Sequence, residues 1–171
     1  MIHRLRPVLW ILVLFGLVPA FSSLAASLVI KTEKDPYAVF YPAKAYAWHP
    51  LSDVHPKFDG DIRAALDREL TAHGFQKSTA GKPDFWVGYQ FKREEMTKKT
   101  PQTFHGGDYS WTEKQYRLGT LIIDVFSPDQ RRIIWKGWSE SNYDPKLSDE
   151  KKIQMANDAI KQIVVQMPPP G

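Results

Sequence analysis

Three stretches of this chain hold residue types that can do chemistry. The first is HPLSDVH, which carries His49, Asp53 and His55. Two imidazoles and a carboxylate are a donor set that could bind a metal such as zinc. Their spacing matches no common ligand motif, and Pro50 and Pro56 mark an ordinary loop, so no metal site is expected. The second is His105-Gly106-Gly107-Asp108-Tyr109. Glycines let a backbone approach a ligand closely, and His and Asp can serve as acid and base. No helix follows the glycine pair, so this is not a phosphate-binding loop. The third is Asp124, a carboxylate inside the apolar run LIIDVF. A charge there needs a partner or an edge to water.

Several classes of activity are excluded at once. The chain has no cysteine, which removes disulfides, thiolate metal sites, a cysteine nucleophile and N-terminal lipidation. No serine lies in a G-x-S-x-G elbow, and no dinucleotide or Walker fingerprint is present. Catalytic residues and cofactors are therefore expected to be none. The candidate binding residues are Asp124, His105, Asp108, Tyr109 and Trp111.

The stretch that must position them is Tyr116–Glu140, which reads as two long strands folded on a turn. Ser127-Pro128-Asp129-Gln130 places proline where its fixed φ suits a type I turn. Setting Phe126 opposite Arg131 puts Asp124 opposite Ile133, Ile122 opposite Trp135 and Gly119 opposite Trp138. In that register Asp124 has Thr120 and Arg131 as its polar neighbours, and the Trp138 ring covers Gly119. Leu118, Ile122 and Phe126 share one face, and Leu121, Ile123 and Val125 the other. A strand apolar on both faces belongs in the middle of a covered sheet.

Strands are also expected at Ser27–Glu33, Ala43–Trp48 and Phe85–Phe91. Two helices complete the set. Ile62, Ala65, Leu66 and Leu70 recur at helical spacing over Asp59–His73, with Asp59 or Asp61 as the cap and Gly74 as the stop. Arg63, Asp67, Arg68 and Glu69 fall on its exposed face. Ile153, Ala156, Ile160, Ile163, Val164 and Met167 form the stripe of a second helix, which opens on Ser148. Lys92–Tyr109 is polar and without period, and reads as a long mobile loop, or else a flap made by extending the flanking strands. The expectation is an α+β two-layer sandwich. It has one mixed, mostly antiparallel sheet of about five strands and two amphipathic helices, packed on one face.

The N-terminus has a different character. Arg4 and Arg6 precede Val8–Phe21, an apolar run of 14 residues, and small residues follow up to Ala25. This is the pattern of a secretory signal, residues 1–25, cut after Ala25. A spanning helix needs about 20 apolar residues, so no stable membrane span is expected after cleavage. Residues 26–171 then form a single domain. The formal charge of +4 falls to +2 once Arg4 and Arg6 are removed, too weak to argue for nucleic acid.

AYAW (Ala45–Trp48), KPDFWVGY (Lys82–Tyr89), YRLGTLIIDV (Tyr116–Val125) and IIWKGW (Ile133–Trp138) appear in that order before a closing helix. This ordered set resembles a bacterial envelope family, the domain of unknown function family 4136. The resemblance covers essentially the whole exported chain. It implies an exported α+β domain, often anchored as a lipoprotein, and carries no catalytic residues across. With no cysteine to lipidate, this chain is expected in soluble form in the periplasm. The function expected is that of a non-enzymatic binding or accessory protein. It would act on an unidentified envelope protein or ligand through the open sheet face or the 92–109 segment. The alternatives are a small periplasmic hydrolase using His105 and Asp108 near Asp124 or His49, and a small-ligand carrier, which would need an enclosed apolar cavity.

Overall fold

The computed structural model describes residues 28–37, 43–50, 57–79, 82–103, 109–129 and 131–171. The expected signal segment, its cleavage at Ala25, and Asp53, His55, His105 and Asp108 lie outside these residues. The elements run β1 (Val29–Lys34), β2 (Ala45–Trp48), α1 (Asp59–Ala72), β3 (Gln76–Lys77), β4 (Phe85–Thr103), β5 (Tyr109–Phe126), β6 (Ile133–Asn142) and α2 (Asp149–Val164). They build one mixed sheet of six strands in the order β1-β6-β5-β4-β2-β3. The strand not foreseen is β3, two residues parallel to β2 and too short to carry a period of its own.

Both helices pack on the same face of the sheet. On β4 that face shows Phe85, Val87 and Tyr89, and on β5 Leu121, Ile123 and Val125, all at most 4% exposed. Ile62, Ala65, Leu66 and Leu70 of α1 and Ala159, Ile160, Ile163 and Val164 of α2 close over them. Each such side chain, fully buried, contributes roughly 1.5–3 kcal/mol. Gly137 is required here by space, since a Cβ on it would run into the Trp135 ring and Ile163 Cγ2.

The helix ends follow local chemistry. Ser148 Oγ accepts from Lys151 N at the start of α2. Gly74 adopts φ 105° after α1, and the Phe75 amide returns to Leu70 O. The start of α1 differs from expectation, because Phe58 is the cap and makes no side-chain cap hydrogen bond. Asp59 is engaged elsewhere, accepting from Tyr89 Oη at 2.7 Å and pairing with Arg63. A second revision concerns Asp67, expected to face solvent. It accepts from Tyr46 Oη (2.7 Å), Trp48 Nε1 (3.2 Å) and Lys77 Nζ (2.7 Å), tying α1 to β2 and β3. Asp84 of the KPDFWVGY stretch ties β4 to β2 by accepting from Lys44 N and Ala45 N, both at 2.8 Å.

The central hairpin forms, but in a different register. Asp124 stands opposite Lys136, Ile122 opposite Trp138, and Gly119 opposite Ser141. Two features cause the shift. The connection is a six-residue loop closed by Ser127 N donating to Arg132 O at 2.8 Å, and a bulge lies beside Val125 and Phe126. A four-residue turn with strict alternation anticipates neither. Gly119 consequently meets Tyr143 and Phe91 instead of Trp138.

Candidate functional site

The largest departure lies where a long loop was the first expectation. Residues 92–103 continue β4, residues 109–116 begin β5, and the two strands pair without interruption from Trp86↔Phe126 to Thr103↔Tyr109. This is the flap alternative. β6 stops at Asn142, opposite Leu118, so nine β4–β5 pairs continue past the last neighbouring strand among the described residues. At about 3.3 Å per residue the ribbon extends roughly 30 Å. Every residue from Lys92 to Gln102 is exposed. Sequence periodicity missed these strands because a ribbon wet on both faces has no apolar alternation to display.

Cross-strand chemistry organises this arm. On the face continuous with the helix side, Lys99 pairs with Glu113 at 2.7 Å and Arg117 with Glu95 at 3.2 Å. Pro101 lies opposite Trp111, which is 64% exposed. The outer face carries Glu94, Met96, Lys98, Thr100 and Gln102 against Leu118, Tyr116, Lys114, Thr112 and Ser110. Of the candidate residues, the structure places Trp111 on this arm and Tyr109 at the last pair before the tip.

At the root of the arm, an apolar cleft of about 90 Å³ opens between the helices and the sheet. Ile62, Leu121, Ile153 and Ala156 give it an oily lining, and Ser139 and Ser141 bring hydroxyls to it. Phe91 and Tyr143 meet edge-on at 6.0 Å, with the Arg93 guanidinium 5.2 Å and 4.9 Å from their ring centres. The Tyr143 amide donates to Arg117 O at 2.7 Å and fastens the end of β6 to the arm. None of these residues is among the candidate site residues that the sequence offers. Phe91, inside β4, and Tyr143, just past the end of β6, are far apart in the chain, and only the register brings them together.

Asp124 occupies the other face of the sheet, away from the helices. Its row is Gly88, Asp124 and Lys136, with Trp86 and Phe126 on one side and Gln90, Ile122 and Trp138 on the other. Only 1% of Asp124 is exposed. Gln90 Nε2 donates to its Oδ2 at 2.7 Å, and Lys136 Nζ lies 3.5 Å from Oδ1, which accepts no hydrogen bond among the described residues. Burial pushes its carboxyl above the usual range, and the Lys136 charge and the Gln90 bond oppose that rise only in part. Arg131, one partner expected from the sequence, is not its neighbour, because the register moved; Thr120, the other, lies four residues along the same strand and makes no hydrogen bond to it. Arg131 instead lies 3.8 Å from Asp129.

The described histidines stand apart. His49 stacks on Phe126 at 4.1 Å between ring centres, while His73 Nε2 is 3.0 Å from Met167 O at the end of α1. Among the described residues no group of three His, Cys, Asp or Glu could hold a metal. Among them, too, no helix is long and apolar enough to cross a membrane.

The fold has solved counterparts. It is similar to a PDZ domain protein from Parabacteroides distasonis, at 14% identity and a TM-score of 0.58. That match covers 85% of this chain but only 38% of the other, so the chain spans well under half of that protein. Similarity also extends to PelC from Paraburkholderia phytofirmans, crystallised as a dodecamer (8% identity, TM-score 0.46, 81% of this chain and 95% of that one). A minor lipoprotein from Acinetobacter baumannii matches at 13% identity and a TM-score of 0.38, over 72% of this chain and 88% of its own. No curated protein matches the sequence. The family described as domain of unknown function DUF4136 matches residues 30–169, and the chain belongs to that family.

Proposed function

We propose that this chain is an exported, non-enzymatic binding protein of the bacterial envelope, working in the periplasm, and that the β4–β5 arm is its binding element. The arm is the observation that carries this reading. Two-stranded ribbons are marginal in water without a third strand or a helix against them. A ribbon of nine pairs with no third strand against them among the described residues, and with Trp111 bare upon it, is a costly feature for a domain that needs only its core. Export is supported by the N-terminal pattern of Arg4, Arg6, the apolar run and Ala25. A photocrosslinker placed at Thr112 on the arm should capture an envelope component in intact cells, and the same group at Ala64 on α1 should not. Adducts from Ala64 alone would overturn the assignment.

The cleft supports a second reading, as a carrier of a small apolar ligand. Its volume suits a short alkyl or single aromatic group rather than a drug-sized molecule. Ala156→Trp, which fills the cleft, should abolish any thermal shift produced by such ligands and leave the Thr112 adducts in place.

A further inference from the structure

The outer face of the arm carries an uncompensated charge. Lys98 lies directly opposite Lys114. Like charges opposed in this way destabilise a ladder. Among the described residues neither ammonium has an ion-pair partner, although the lysine and arginine on the other face are both paired. Glu94, the acid on that outer face, is four residues from Lys98, about 13 Å along the strand. Beside the two lysines are Met96, 38% exposed, and Tyr116 opposite it. Farther out, and on the reverse face, are Trp111 and Pro101.

Resting on the reading of the arm as the binding element, we propose that its partner is an anionic lipid bilayer. Trp111 sits at the lipid–water interface, and Lys98 and Lys114 lie against headgroup phosphates. Indole and phenol rings favour that interface, and lysines close to an anionic leaflet are held by its surface potential. The placement of the groups selects a bilayer over an acidic protein groove. A groove can answer the two lysines on one face but leaves Trp111 bare on the other. A lipid surface in which the ribbon is immersed surrounds it and meets both faces at once. Phosphate also resolves the opposition of Lys98 and Lys114, which nothing else described in the chain resolves.

The test is co-sedimentation of the exported form, beginning at Ala26, with two kinds of vesicle. One is phosphatidylcholine alone; in the other a third of the lipid is phosphatidylglycerol. The expected result is binding to the anionic vesicles only, weakened by salt. Lys98→Gln with Lys114→Gln should lower the affinity about 30-fold, as expected for two surface lysines. Trp111→Ser should weaken binding independently of salt. Both variants change exposed side chains, and unchanged circular dichroism confirms that they fold. Equal binding to both kinds of vesicle, no binding to either, or undiminished binding by the double variant would each overturn the proposal. So would binding to polyglutamate that withstands Trp111→Ser, which would point to an acidic polypeptide. If vesicles fail while Thr112 still captures an envelope protein, the lipid assignment is wrong and the arm keeps its role.

Discussion

Strands β4 and β5 live in two different environments along one continuous ladder. From Phe85 to Phe91 they are flanked by β2 and β6, covered by two helices, and buried at Val87, Tyr89 and Ile123. Past Glu94 and Leu118 the same strands carry on with no third strand beside them among the described residues. The near half contributes burial; the far half contributes display. Their difference is not one of backbone pairing, which is uninterrupted. It lies in what the side chains touch, so the two halves should respond to mutation to very different degrees.

The largest effect belongs in the near half. Ile123→Ala removes a side chain that is 0% exposed and should cost about 2–5 kcal/mol in denaturant unfolding. A cost under about 1 kcal/mol would show that the body is not packed as described. Next is Gly137→Ala, which sets a methyl against Trp135 and Ile163 and should cost about 1–3 kcal/mol by the same measurement. In the far half, Glu113→Ala breaks an exposed ion pair with Lys99 and should change stability by less than about 1 kcal/mol. A larger loss would mean that the arm is part of the cooperative fold.

Asp124 gives the comparison a pH dimension, because it is a carboxylate placed in the buried half. Its pKa is raised in the folded state, so the native protein keeps the proton to higher pH than the unfolded chain does. Stability from this group is therefore fullest at acid pH, below the ordinary carboxylate range. It declines as pH rises through the folded pKa. Asp124→Asn should remove that decline and raise the thermal midpoint at neutral pH. Thermal melts across the acid range measure this, and an Asn variant less stable than wild type at neutral pH would show that the Lys136 contact outweighs burial.

How much of this was legible in the sequence depended on whether a residue's surroundings were local. Both helices, the Ser148 cap and the Gly74 stop depend on neighbours a few residues away, and all were readable. So was the placing of both helices on one sheet face, since each has a single apolar stripe. The hairpin register was not, because the bulge at Val125 and Phe126 and the six-residue loop leave no mark on hydrophobic alternation. The error travelled directly to Asp124, whose partners Gln90 and Lys136 come from other strands. Asp67 was misplaced for the same reason: its three donors lie on β2 and β3, out of sight of helical periodicity. The arm is legible only as an alternative to a loop, since polar pairs such as Lys99 and Glu113 look the same in a loop and in a wet ribbon.

The central claim is that the body folds without the arm and presents it for binding. The direct measurement excises residues 95–117 and joins Glu94 to Leu118 through Asn-Gly, a two-residue turn suited to a hairpin. The account predicts a shortened protein whose unfolding free energy stays within about 1 kcal/mol of wild type, since closing a shorter loop changes little. It also predicts loss of capture in the periplasm, read from a crosslinker in the body beside the root of the arm. A shortened protein that fails to fold, or one that folds and still captures the same envelope component, would contradict it.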